Sequence, residues 1–156
     1  MPLTRRVLAF LPALSLTLFA ADPYPPPANA TADLQRARER AKNTGKMLMV
    51  IFGGNWCADC RVLHTRLEQA PVREYVDKHF EVVPINIGEM NANLNIAKEL
   101  GVDLKQGVPA AGFFSADGKP IGVTRGELEP SRNYDAAQVL EFVRKVAEEH
   151  KIEKPK

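Results

Sequence analysis

Met47-Leu48-Met49-Val50-Ile51-Phe52 is an unbroken apolar run that stops at a Gly53-Gly54-Asn55 turn. It lacks the apolar/polar alternation of a half-exposed strand, so it reads as a strand buried on both faces. A chain that must cover both sides of a strand belongs to the α/β class. Directly after the turn comes Trp56-Cys57-Ala58-Asp59-Cys60, with the only 2 cysteines of the 156 residues. Strand, turn, then Cys-x-x-Cys opening a helix favours a reactive sulfur. The unpaired N–H groups and positive dipole end of a helix N-terminus stabilise a thiolate. Cys60, one turn on, is placed to attack a mixed disulfide formed by Cys57.

The N-terminus carries Arg5 and Arg6 ahead of a mostly apolar stretch from Val7 to Ala21. Its length and charge order suit a secretory signal over residues 1–21, cleaved near Ala20 or Ala21, with an uncleaved anchor as the alternative. That places the protein in the periplasm or outside the cell. The 21 basic residues exceed the 19 acidic ones by two, and Arg5 and Arg6 account for that excess. The remaining chain is balanced, which argues against nucleic acid as a partner. An exported chain that keeps two cysteines this close together uses them rather than being stapled by them.

Residues 22–30, with Pro23, Pro25, Pro26 and Pro27, read as an extended or disordered linker. Residues 31–150 form one domain of ordinary size, and 151–156 a charged tail. Thr31 is expected to cap a helix running to about Asn43, with Gly45 past its end. A helix starts at the cysteines, and Pro71 separates it from a second piece over 72–79. Residues 81–87 read as a strand that tolerates Pro84 only at an edge or a bulge. A short helix over 93–100 follows. Ala110 to Phe114 and Ile121 to Thr124 flank Asp117-Gly118, a hairpin signal, and a last helix spans about 135–149.

With this element order, two motifs carry a resemblance to the thioredoxin superfamily, in particular its secreted bacterial disulfide-isomerase type: Trp56-Cys57-Ala58-Asp59-Cys60 and Gly107-Val108-Pro109-Ala110. The resemblance covers nearly all of residues 31–149 and implies a thioredoxin fold, a central mixed β-sheet flanked by helices. It also implies that Pro109 is cis beside the cysteines, and that Val108 pairs through its backbone with an extended substrate. Two family positions depart. The buried acid six residues before the first cysteine is Ile51 here, and its companion lysine on the next strand is Pro84. Asp59 is the nearest acid left to serve as a base, and its charge should disfavour a Cys57 thiolate and make the disulfide less oxidising.

The expected activity is therefore exported thiol–disulfide exchange on proteins, as reductase or isomerase. Cys57 and Cys60 are catalytic, Trp56, Val108 and Pro109 bind substrate, and Asp59 tunes the pair. The expectation includes no cofactor, no metal, a membrane electron donor and a monomer. Other readings stay open. Trp56 can be plain core, and Arg61 can favour a thiolate or be solvated helix charge. His64, four residues after Cys60, can complete a zinc site with the cysteines or lie half-buried. Copper delivery is the other metal reading. A redox-silent binding or chaperone module, with the disulfide only as a clip, is the alternative kept alive by the missing acid. The longer loops 102–106 and 126–134 are candidate walls of a substrate groove.

Overall fold

Strand β1 (Met47–Gly53) is buried along its whole length and lies between two neighbours. In this computed structural model, which describes residues 22–152, the sheet order is β2-β1-β3-β4. Strand β2 (Phe80–Asn86) runs parallel to β1, while β3 (Ala110–Phe114) and β4 (Pro120–Val123) complete the sheet antiparallel. Alternate residues of β1 enter opposite cores. Met47, Met49 and Ile51 join the cysteines, Leu63, Leu67, Val139 and Val143 on one face. Leu48, Val50 and Phe52 meet Leu34, Ala37, Ala41 and Ile85 on the other. The sheet is thus mixed and flanked by helices, as a thioredoxin fold requires.

Helix α1 (Ala30–Thr44) covers the second face through its buried Leu34, Ala37 and Ala41, and Gly45 ends it at φ 71°. Its start differs from expectation: Asn29, not Thr31, occupies the cap position. A short 3₁₀ turn over Pro27–Asn29 leads straight into the helix, and the Ala30 N–H bonds Pro27 O. A backbone turn therefore does what a side-chain cap was expected to do.

Helices α2 (Ala58–Leu67) and α3 (Val72–His79) form the first face together with α5 (Ala136–Ile152). Asp135 and Gln138 cap α5 reciprocally: the Gln138 N–H donates to Asp135 Oδ1 (2.8 Å), and the Asp135 N–H to Gln138 Oε1 (3.0 Å). Helix α4 (Leu94–Glu99) lies against the second face through Ile96 and Ala97. Pro84 sits on the edge strand β2, opposite Ile51, where a missing donor is tolerated.

The proline-rich segment is extended but docked, not disordered. Tyr24 is buried, and its N–H and C=O both bond the Asn55 side chain, at 3.0 and 2.9 Å. Asn86 donates to Pro25 O and Asn93 to Pro27 O, each at 2.9 Å. Three asparagines thus supply the backbone pairing that a proline-rich strand cannot make for itself. The proposed leader over 1–21 and the last residues of the charged tail, 153–156, lie outside the described residues. No helix of the described residues is long and apolar enough to cross a membrane.

Candidate active site

Where β1 ends, Gly53 and the following turn deliver Cys57 to the start of α2. The Cys57 N–H bonds Gly54 O at 3.1 Å, and Cys57 takes the cap position with extended backbone angles. Its sulfur accepts the Cys60 N–H at 3.1 Å, so the thiolate position meets one of the free donors of the helix start. Cys57 and Cys60 are joined as a disulfide with their Cα atoms 5.2 Å apart. Cys57 is 6% exposed and Cys60 0%, so an incoming thiol meets Cys57 first.

The second motif closes over this pair. Val108–Pro109 is a cis peptide bond (Ala70–Pro71 is the other among the described residues), and Pro109 is fully buried. The Val108 carbonyl oxygen stands 3.7 Å from Cys57 Sγ. Trp56 is not core: it is 49% exposed at the rim, with its indole N–H donating to Gly88 O. Exposed Met90 lies two residues beyond that carbonyl. Cys57, Cys60, Trp56, Val108 and Pro109 thus gather at one end of the sheet.

Asp59, the acid expected to serve as base or to tune the pair, is engaged by Arg132. It is buried in the first turn of α2, where Oδ1 accepts the Arg132 N–H at 2.8 Å and Oδ2 faces Arg132 Nε at 3.0 Å. Its carboxylate is committed to the 126–134 loop, whose Leu128 and Ser131 are buried. That loop also touches the other long one, since a Cβ on Gly107 would lie 2.5 Å from Glu129 Cγ. The two loops therefore meet beside Val108. The Arg61 guanidinium donates to Asn55 O.

Ile51 packs in the same apolar cluster as the cysteines, with Pro84 as its cross-strand partner. The paired positions that hold an acid and a lysine in the resembling family thus hold two apolar residues. A cavity of about 350 Å³ borders them, lined among others by Tyr24, Ile51, Leu63, His64, Glu68 and Pro84. Tyr24 is buried, and burial pushes the ionisation of its hydroxyl well above the ordinary phenol range. His64 lines this cavity half-buried. No group of three or more His, Cys, Asp or Glu side chains among the described residues is arranged to hold a metal ion. Sequence reasoning missed Tyr24 and Arg132. Tyr24 was legible only as the one aromatic in a proline tract, and Arg132 left no signal.

A family model described as thioredoxin-like matches residues 29–116. Among solved structures, a disulphide isomerase from Xylella fastidiosa Temecula1 is 34% identical. The match covers 80% of this chain and 95% of that one, with a TM-score of 0.76. The reduced C-terminal domain of DsbD from Neisseria meningitidis is 22% identical over 74% of this chain and 95% of that one, at TM-score 0.54. A thioredoxin from Thermus thermophilus is 20% identical over 73% and 81%, at TM-score 0.51. The last two show the shared fold. A comparison with curated proteins found no match.

Proposed function

This chain belongs to the thioredoxin-like family, and from that premise we propose that it is an exported thiol–disulfide oxidoreductase that reduces or isomerises protein disulfides. The observation that carries this reading is the Cys57–Cys60 disulfide at the start of α2, with the cis Val108–Pro109 carbonyl 3.7 Å from Cys57 Sγ. The 34% identical disulphide isomerase supports the isomerase side of the proposal.

In the reduced protein, Cys57 thiolate attacks one sulfur of a substrate disulfide. The Cys57–substrate S–S bond forms, the substrate S–S bond breaks, and its electron pair leaves on the second substrate sulfur. Either of two exits follows. Cys60 attacks Cys57 Sγ, expels the substrate as a dithiol and closes the Cys57–Cys60 disulfide, so two electrons have passed to substrate. Alternatively, a substrate thiol displaces Cys57 and the substrate leaves with a rearranged disulfide. Trp56 and the Val108–Pro109 backbone bind the extended substrate, and Asp59 tunes the pair through its contact with Arg132. After a net reduction, a dithiol donor of the membrane must restore the thiols. Residues 1–21 act as the export leader, the protein works in the periplasm or outside the cell, and it acts as a monomer.

Ile51 and Pro84, in place of a proton-moving pair, favour one competing reading: a binding module whose disulfide is only a clip. Insulin reduction with dithiothreitol as donor separates the two. Wild type is expected to accelerate insulin precipitation, and Cys57→Ser to abolish the acceleration. Equal rates in both proteins would remove the enzyme reading.

A further inference from the structure

Reduction of the Cys57–Cys60 disulfide leaves a charge in an apolar place. A thiolate donor attacks Cys57 Sγ, the donor–Cys57 S–S bond forms, and the Cys57–Cys60 bond breaks with its electron pair on Cys60 Sγ. Cys60 is 0% exposed and packed with Ile51, Leu63 and Leu67. A buried thiolate with no polar neighbour is a poor leaving group, because desolvation disfavours the charged form. The residue that answers this in the resembling family is the buried acid, and Ile51 cannot do its work.

We infer that the Tyr24 hydroxyl is the group that hydrogen-bonds Cys60 as it leaves, making Tyr24 a catalytic residue supplied by the proline-rich arm. A Cβ placed on Gly53 would stand 2.5 Å from the Tyr24 hydroxyl oxygen and 2.7 Å from Cys60 Sγ. Both atoms therefore border the small space that glycine leaves at the end of β1. The arm is fixed there by the two Asn55 bonds and by Asn86. A disulfide sulfur is a weak acceptor and a thiolate a strong one, so the hydroxyl gains a strong acceptor only as the S–S bond breaks. Such differential strength lowers a barrier rather than stabilising the resting state. A phenol is protonated at neutral pH, and burial raises its ionisation further, so it donates a hydrogen bond and keeps its proton. The proton that finally neutralises the thiolate comes from solvent.

This inference rests on the reading of Cys57 as the attacked sulfur, but its test needs no protein substrate. In the full chain, dithiothreitol reduction of the disulfide is followed by the fluorescence of Trp56, the single tryptophan. Tyr24→Phe keeps the ring and removes only the oxygen, and it is expected to slow reduction about tenfold. In a Cys57→Ser background, where Cys60 is the sole thiol, Tyr24→Phe is expected to raise the pH of Cys60 ionisation by about one unit, read by thiolate absorbance. His64 of α2, Glu68 just past its end, Asp77 of α3, and Lys46 and Glu81 line the same cavity. The profile is therefore compared with Tyr24 present and absent, so that their titrations cancel. A Tyr24→Phe rate within about twofold of wild type, or a slower rate with unmoved Cys60 ionisation, overturns the inference. The second result would mean packing alone. If wild type fails to reduce insulin, the oxidoreductase reading falls, while the dithiothreitol rates still decide the role of Tyr24.

Discussion

Truncating Asp59 and Arg132 in turn separates two contributions that the structure joins at one carboxylate. Asp59 is buried and accepts both the Arg132 N–H at 2.8 Å and the Arg132 side chain at 3.0 Å, whereas the Arg132 side chain is 65% exposed. Asp59→Ala removes both bonds and strands a backbone donor where the loop packs on α2. Hydrogen bonds to a charged acceptor contribute about 1.5–3 kcal/mol, so a loss of about 2–3 kcal/mol is expected. Arg132→Ala removes only the solvent-screened half and leaves the backbone N–H in place. That costs under about 1 kcal/mol. For a domain of this size the melting temperature should fall by about 10 °C for Asp59→Ala and about 3 °C for Arg132→Ala. Urea melts of the oxidised proteins give the same comparison at constant temperature. The exchange potential supplies a second check. Freed from Arg132, the Asp59 charge disfavours a Cys57 thiolate, so Arg132→Ala should shift the pair toward a more reducing value. Equal losses in the two variants would refute the reasoning, because the exposed guanidinium would then dominate over the buried backbone contact.

Other substitutions probe the arm and its glycine. Gly53→Ala puts a methyl 2.5 Å from the Tyr24 hydroxyl and 2.7 Å from Cys60 Sγ, so it should expel the arm and destabilise the fold by about 2 kcal/mol or more. Faster proteolytic cleavage within residues 22–29 would register that release, and an uncut arm would count against the packing described. Tyr24 also makes an alkaline prediction. Burial raises its folded ionisation above the unfolded value of 10.0, so the native state holds the proton more tightly. The stability from this group is complete below about pH 10 and is lost as pH rises further, by at most about 1.4 kcal/mol per pH unit. Tyr24→Phe should lack that part of the alkaline loss in urea melts, and identical pH slopes would contradict it.

The parts of this molecule readable from the sequence are those written in neighbouring residues. The apolar run over 47–52, the Cys-x-x-Cys spacing and the Asp117-Gly118 turn each specify their element locally, and Pro84, which called for an edge or a bulge, sits on an edge strand. The Val-Pro step beside the cysteines followed from the family resemblance rather than from composition. What stayed hidden depends on partners far along the chain. Asp59 meets Arg132 across 73 positions, and no periodicity announces a carboxylate's partner at that distance. The proline tract carries the composition of a linker, yet Asn55, Asn86 and Asn93 bond it from 31 to 66 positions away. Composition reports what a segment cannot pair with by itself. It does not report that another part of the fold has reserved donors for it.

An open sheet edge is a template for any passing strand, and a mixed sheet such as this one has two. Here each edge carries a proline. Pro84 removes one backbone donor from β2, and the ion pairs of Arg40 and Lys46 with Glu81 add charge beside it. On the far side, β4 is only 4 residues long, begins with Pro120, and joins β3 through a register shift at Phe113/Phe114. Neither margin offers an aggregating chain a long, flat row of free donors and acceptors. An extended chain from outside therefore finds little to pair with along the sides of the sheet.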